Sequence, residues 1–177
     1  TGLNNIPKQY QPLPKVQSKA ILNVPLDKLN LISDREEITN RIKSVSGVTL
    51  VIDGFYLGNR SWGGTGDRVS ATEMFEYYAD FWELDDPIYK RELAPTEAIV
   101  NKKYADKLQK DNSNSFNLGD ELYNVVGVVD DIPLLERGGN GALLGKDPSS
   151  NISNSIFVKC NPKSKDRVQK DIMKIIR

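Results

Sequence analysis

Strand and helix patterns alternate at the N-terminal end of the chain, and this alternation constrains the fold more than any other sequence feature. The alternating apolar residues of Lys19–Val24 predict a strand. Ile38, Ile42 and Val45 then recur at helical spacing, and Gly47 follows them as a helix stop. The β-branched run Val48–Ile52 predicts a second strand. Together these segments predict a β-α-β unit.

A matching strand and helix occur at the other end of the chain. Ser155–Cys160 has the pattern of a strand, and Lys163–Ile176 has the apolar stripe of an amphipathic helix, including Val168 and Ile172. The matching periodicities predict that both chain ends pack as one α+β lobe. We expect Ile38, Ile42, Val168 and Ile172 to be buried on the same face of its sheet.

The first half of the intervening segment is predicted to contain a loop and a helix. Gly58–Gly66 is rich in glycine and predicts a break in regular structure. Ser70 and Glu73 have the spacing of a capping box, which predicts a helix start. The helix so predicted carries Met74, Tyr77, Tyr78, Phe81 and Trp82.

The second half is predicted to contain two strands, a helix and a long loop. Glu97–Val100 predicts a short strand, and Asn101 is a suitable N-cap for the helix that follows it. Tyr123–Val129 gives the clearest strand pattern in the chain. Pro133–Asn154 is low in periodicity and rich in glycine and serine, so it predicts a mobile loop.

Composition excludes several classes of enzyme. The chain has 177 residues, 24 Lys and Arg against 24 Asp and Glu, no histidine and one cysteine, Cys160. Without histidine, neither a Ser-His-Asp triad nor a Cys-His pair can form. A single cysteine excludes an internal disulfide and a zinc site built on several thiolates. The formal net charge of zero gives no general attraction to nucleic acid or anionic lipid.

The remaining polar and aromatic motifs are each better explained by structure than by chemistry. The glycine clusters lack the strand-to-helix context of a phosphate cradle, and the acidic pairs lack the spacing of a calcium loop. The aromatic residues favour a core, Cys160 favours a buried small hydrophobe, and the lysine runs favour solvated helix surfaces. We therefore expect no catalytic, cofactor-binding or metal-binding residue. The motifs are Gly63–Gly66, Gly138–Gly139, Asp85–Asp86, Asp130–Asp131, Lys102–Lys103, Lys163–Lys165 and the glycosylation-type tripeptides at Asn59 and Asn151.

The chain has no initiator methionine and no apolar run long enough for a transmembrane helix. We therefore interpret the sequence as a processed or excised piece of a longer protein. A split β-α-β lobe takes a fourth strand after its second helix, so we expect that strand beyond Arg177.

The order of the central segments resembles the MacB-like periplasmic core domain of FtsX-type ABC-transporter permeases. The string EAIVNKKYADKL supplies Ile99-Val100-Asn101 with Ala105 and Leu108. Gly119 and the strand VVGVVDD follow, and a glycine-rich loop then precedes NSIFVKCNP and the closing helix. These strings span about Val69 to Asn161, and the flanking strand and helix patterns extend the resemblance to most of the chain.

The resemblance implies a two-lobed α+β architecture. An extended lead-in covers residues 1–15, and a ferredoxin-like, membrane-proximal lobe combines residues 16–69 and 151–177. A mixed α/β, membrane-distal lobe covers residues 70–150.

The resemblance also implies a function outside the cytoplasm, on the periplasmic or extracellular side of a bacterial cell membrane. By this resemblance, we expect a domain without catalytic activity or cofactor that transmits ATP-driven movement of membrane helices to substrates or partner proteins. Its implied partners are its own transmembrane helices, a cytoplasmic ATP-binding subunit or domain, and a periplasmic adaptor or second permease copy, with no nucleic acid. An extracytoplasmic small-molecule-binding or sensor module is the alternative, and a pocket lined by the aromatic helix would favour it.

Overall fold

The computed structural model describes residues 20–26, 34–53, 57–61, 68–133, 135, 138–146 and 155–176. Four helices and nine strands lie within these ranges. The helices are α1 (Arg35–Lys43), α2 (Tyr78–Phe81), α3 (Lys102–Lys110) and α4 (Lys165–Ile175). The strands are β1 (Ile21–Pro25), β2 (Val48–Ile52), β3 (Leu57–Ser61), β4 (Arg68–Glu73), β5 (Glu97–Asn101), β6 (Ser115–Leu118), β7 (Glu121–Val129), β8 (Asn140–Leu144) and β9 (Ser155–Cys160). The described helices include none long and apolar enough to cross a membrane.

The first of two compact units combines elements from both ends of the chain: β1, α1, β2, β9 and α4. Its described strands form a sheet in the order β1-β9-β2, in which β9 runs antiparallel to both neighbours. This order, with one helix after β1 and one after β9, is that of a split β-α-β arrangement. Ile38 and Ile42 of α1 are buried in one apolar cluster with Val168 and Ile172 of α4. The predicted burial of these four side chains is confirmed.

The second unit is built on a six-stranded mixed sheet in the order β3-β4-β8-β5-β7-β6. β4 pairs in parallel with β8, and β5 pairs in parallel with β7, while the other neighbouring strands are antiparallel. Tyr104 and Leu108 of α3 are buried in a cluster with residues of this sheet, such as Phe116 and Tyr123. The two sheets and four helices confirm the predicted α+β class.

The predicted helix start at Ser70 is wrong, because Arg68–Glu73 forms strand β4. All five residues from Val69 to Glu73 are buried, and they pair in register with β8. Burial on both faces of an inner strand outweighs the local capping pattern. The aromatic helix shortens to the four residues of α2, which begins after Tyr77 in the left-handed conformation, at φ 63°.

The predicted loops at Gly58–Gly66 and Pro133–Asn154 also contain strands. Leu57–Ser61 forms β3 at the edge of the second sheet, while residues 62–67 lie outside the described ranges. Asn140–Leu144 forms β8, an inner strand between β4 and β5. Gly141 and the three residues after it are buried, so β8 lacks the alternation that marks a strand with one solvated face.

The division of strands between the two sheets differs from the boundary expected at residues 69 and 70. That boundary falls inside β4, which pairs with β3, so Leu57–Ser61 belongs to the second sheet. The strand that precedes β3 in the chain is β2, which belongs to the first sheet and ends at Ile52. The expected lead-in at residues 1–15 lies outside the part of the chain that the structure describes.

Candidate functional site

The two acidic pairs of the sequence lie near one buried tyrosine of the second unit. The Tyr89 hydroxyl donates a hydrogen bond to the Asp131 carbonyl oxygen at 2.8 Å. Burial, together with the smaller effect of the nearby carboxylates of Asp86, Asp130 and Asp131, raises the pKa of Tyr89 to about 12. Asp86 also accepts a hydrogen bond from the Ile88 amide at 3.0 Å and so caps a short 3-10 turn. These contacts support a structural role for the Asp86 side chain and for the Asp131 backbone carbonyl.

A cluster of aromatic rings lies around Tyr78. Its ring centroid is 5.0 Å from that of Phe75, 6.5 Å from that of Trp82 and 6.3 Å from that of Tyr89. Phe81 and Trp82 meet edge to face with centroids 4.6 Å apart. Tyr78, Phe81, Trp82 and Tyr89 are buried, as expected for a core, whereas Tyr77 is 58% exposed. The buried rings therefore pack mainly against one another.

Two polar groups within this aromatic cluster lack hydrogen-bond partners among the residues that the structure describes. They are the hydroxyl of Tyr78 and the indole N–H of Trp82. Burial raises the pKa of Tyr78 well above its ordinary value, with a smaller contribution from Tyr89. A buried polar group without a partner is unfavourable because it loses its bonds to water and gains none in the protein.

Tyr78→Phe is expected to stabilise the protein by about 1 kcal/mol, because it removes a buried hydroxyl that has no partner. Tyr89→Phe is the matched control, and it should cost about 1 kcal/mol because it breaks the bond to Asp131. Urea denaturation at neutral pH measures both changes. A lower stability of Tyr78→Phe than of the parent would contradict the assignment of an unpartnered hydroxyl.

Asn101 connects three segments of the second unit. Its side-chain oxygen accepts a hydrogen bond from the Tyr104 amide at 3.0 Å, which confirms the predicted N-cap of α3. Its side-chain nitrogen donates to the Gly139 carbonyl oxygen at 2.8 Å, just before β8. Asn101 is itself the last residue of β5 and is 8% exposed. One amide therefore fixes the end of a strand, the start of a helix and a glycine turn.

The turn at Gly138–Gly139 has the wrong polarity for a phosphate cradle. The Lys103 ammonium group donates to the Gly138 carbonyl oxygen, and Asn101 donates to that of Gly139. Phosphate cradles instead direct backbone N–H groups at the ligand. Gly138 has a φ of 79°, a conformation that favours glycine. The cluster at Gly63–Gly66 lies outside the described residues.

Asn101→Ala is expected to destabilise the protein by about 2 kcal/mol, since it removes the helix cap and the bond to Gly139 together. Asn101→Ser is the control, because serine caps helices well but is too short to replace the amide donor. The serine variant should lose about half as much stability as the alanine variant in urea denaturation. Equal losses would show that the cap contributes little.

Cys160 is buried in the apolar cluster of the first unit, at 2% exposure. Burial raises the pKa of its thiol, and the nearby Lys165 only partly opposes this shift. The thiol is therefore held neutral, which supports the interpretation of Cys160 as a small core residue. Among the described residues, no group of three or more cysteine, aspartate and glutamate side chains could hold a metal ion.

Comparison with known proteins identifies a likeness in structure. No protein-family model matches the chain, and no curated protein matches it in sequence. Among solved structures, the extracellular domain of the noncanonic ABC-type transporter YknZ from Gram-positive bacteria is similar, with a TM-score of 0.53 and 16% sequence identity. The alignment covers 94% of this chain and 89% of that domain. The chain thus shares the fold of an ABC-transporter extracellular domain.

Proposed function

We propose that this chain is the extracytoplasmic domain of an ABC-transporter permease of the MacB-like type. The observation that carries this proposal is the fold likeness to an ABC-transporter extracellular domain, which extends over both compact units. A likeness to one unit alone would be weaker support, because small α+β units recur in many unrelated proteins.

The arrangement of the first unit suits a domain inserted between two membrane helices. Ile21–Pro25 and Ser155–Cys160, from opposite ends of the chain, are hydrogen-bonded neighbours. A chain that leaves a membrane and returns to it can therefore enter and exit through one unit. In the proposal, this unit is membrane-proximal, and the unit formed by the intervening residues is membrane-distal and meets substrates or partner proteins.

In the proposed mechanism, the domain performs no chemistry of its own. A cytoplasmic ATP-binding subunit or domain hydrolyses ATP and moves the membrane helices. The extracytoplasmic domain transmits that movement to a substrate, an adaptor protein or a second permease copy. The mutual packing of Tyr78, Phe81, Trp82 and Tyr89 gives no support to the alternative of a ligand site on the aromatic segment.

Purification of the full-length protein that carries this chain tests the proposal. The protein should be extracted from the membrane fraction by detergent and should hydrolyse ATP, alone or with a co-purified ATP-binding subunit. The hydrolysis should be inhibited by vanadate, and the 177-residue chain alone should be inactive. Recovery in the soluble fraction, with no ATP-hydrolysing component, would contradict the assignment.

A further inference from the structure

Four exposed cations lie along the outer surface of α4 and the turn before it. Lys163, Arg167, Lys170 and Lys174 follow one another at intervals of four, three and four residues. At 3.6 residues per turn, the last two intervals place Arg167, Lys170 and Lys174 on one narrow line along α4, and Lys163 lies in the 3-10 turn that precedes this helix. The opposite side of the helix is apolar, with Val168 and Ile172 buried in the core. We name the four cations the basic stripe.

Arg167 is the member of the basic stripe that already has protein partners. It forms an ion pair with Asp171 at 3.2 Å, and it also donates a hydrogen bond to the Ser46 carbonyl oxygen at 2.6 Å. Lys163, Lys170 and Lys174 form no ion pair within the described part of the chain. Three ammonium groups are therefore available to an external anion.

A shallow groove lies beside the basic stripe. Its volume is about 420 Å³, and Arg167, Lys170, Asp171, Met173 and Lys174 line it. Lysine and arginine bury their aliphatic stems along apolar surfaces while their charged ends remain in water. Met173 and the aliphatic stems of the three cations therefore supply the apolar part of the groove's surface, and the charged ends lie at its edge.

We propose that the basic stripe binds anionic phospholipid headgroups on the outer surface of the membrane. The inference rests on the proposed function, which places an extracytoplasmic domain beside a bilayer. An acidic protein partner is less suited, since fixed carboxylates are best recognised by the bidentate guanidinium of arginine. The arginine of the stripe is already bound to Asp171 and Ser46, whereas the three lysines are point charges that suit mobile phosphate groups.

Binding of the 177-residue chain to lipid vesicles tests this inference. The probes are vesicles of phosphatidylcholine alone and vesicles that also contain phosphatidylglycerol, compared by co-sedimentation. The test variant replaces Lys163, Lys170 and Lys174 by glutamine. The control replaces Lys90, Lys102 and Lys110 of the other unit by glutamine; these lysines are also exposed, and the net charge changes equally. Circular dichroism verifies that both variants are folded.

The parent chain should bind only the vesicles that contain phosphatidylglycerol, and added salt should weaken the binding. Each lysine near an anionic surface contributes roughly a fivefold factor, so the test variant should lose on the order of 100-fold in partition coefficient. The control should stay within about twofold of the parent, given that its lysines belong to the other unit and lie outside the stripe. Equal losses in both variants, or equal binding to neutral vesicles, would overturn the inference.

A soluble polyglutamate probe distinguishes a protein partner from a membrane. If the parent binds polyglutamate through the three lysines but ignores anionic vesicles, the stripe serves an acidic protein and the lipid inference is overturned. If the full-length protein hydrolyses ATP as proposed but the 177-residue chain does not bind anionic vesicles, only the lipid inference is overturned. If the full-length protein is soluble and no ATP-hydrolysing component accompanies it, the proposed function is overturned, even if the isolated chain binds lipid.

Discussion

Ile42→Ala and Ile172→Ala are each expected to destabilise the protein by about 2–5 kcal/mol. Both side chains are completely buried in the apolar cluster between α1, α4 and the β1-β9-β2 sheet. Each substitution removes three carbon atoms and leaves a cavity that a close-packed core only partly fills. Urea denaturation followed by far-UV circular dichroism measures the loss for each variant.

Leu122→Ala is the control for these two substitutions, because Leu122 is 50% exposed. Its effect should be within about 0.5 kcal/mol of zero. The double variant Ile42→Ala/Ile172→Ala tests whether the two chain ends share one core, since residues of one packed cluster depart from additivity by about 0.5 kcal/mol or more. Small losses in both single variants, with full additivity in the double variant, would contradict a common core.

Gly145→Ala is expected to cost about 3 kcal/mol, at the upper end of the range for overpacking. A Cβ atom at position 145 would lie 1.8 Å from the Ala94 carbonyl oxygen and 2.6 Å from its carbonyl carbon. These atoms belong to the backbone, so no change of rotamer relieves the collision. The Gly145 amide also donates to the Glu97 carbonyl oxygen at 2.9 Å, which ties the two segments together.

Lys146→Ala is the neighbouring control, because Lys146 is exposed and should tolerate the change with little loss. Thermal unfolding of the purified variants compares the two positions. A melting temperature of Gly145→Ala equal to that of the parent would show that residues 94 and 145 do not approach each other as closely as described.

The sequence predicts the first unit well because its elements have regular periodicity. Ile38 and Ile42 on α1, and Val168 and Ile172 on α4, repeat at helical spacing and form one buried stripe on each helix. The pairing of β9 between β1 and β2 could not be read from these patterns. It joins residues more than 100 positions apart, and local periodicity gives neither the order of the strands nor their register.

The sequence predicts the second unit less well because two of its inner strands carry misleading local signals. Ser70 and Glu73 imitate a helix cap, and Gly141 stands in a segment typical of loops. Both segments form strands because each pairs with a strand on either side and has buried side chains on both faces of the sheet. Tertiary contacts of this kind override short-range propensity.

Residues in the segments that resemble the permease family have clear structural roles in the second unit. Asn101 caps α3 and holds the Gly139 carbonyl oxygen. Gly127 leaves space for Ile88, whose Cδ1 atom would lie 2.5 Å from a Cβ at position 127. The partner of each residue lies nearly 40 positions away, so the sequence indicates the residue but not the reason for it.

Labelling of an introduced cysteine in intact cells tests the central claim, that this domain lies outside the cytoplasm, most directly. Asp85→Cys places a thiol at an exposed position of the full-length protein, in a background where cysteines outside this chain are replaced. Buried Cys160 provides an unreactive blank. A membrane-impermeant maleimide should label Asp85→Cys in intact cells as fully as after lysis, and the labelled protein should sediment with membranes. Labelling only after lysis would place the domain in the cytoplasm and contradict the account.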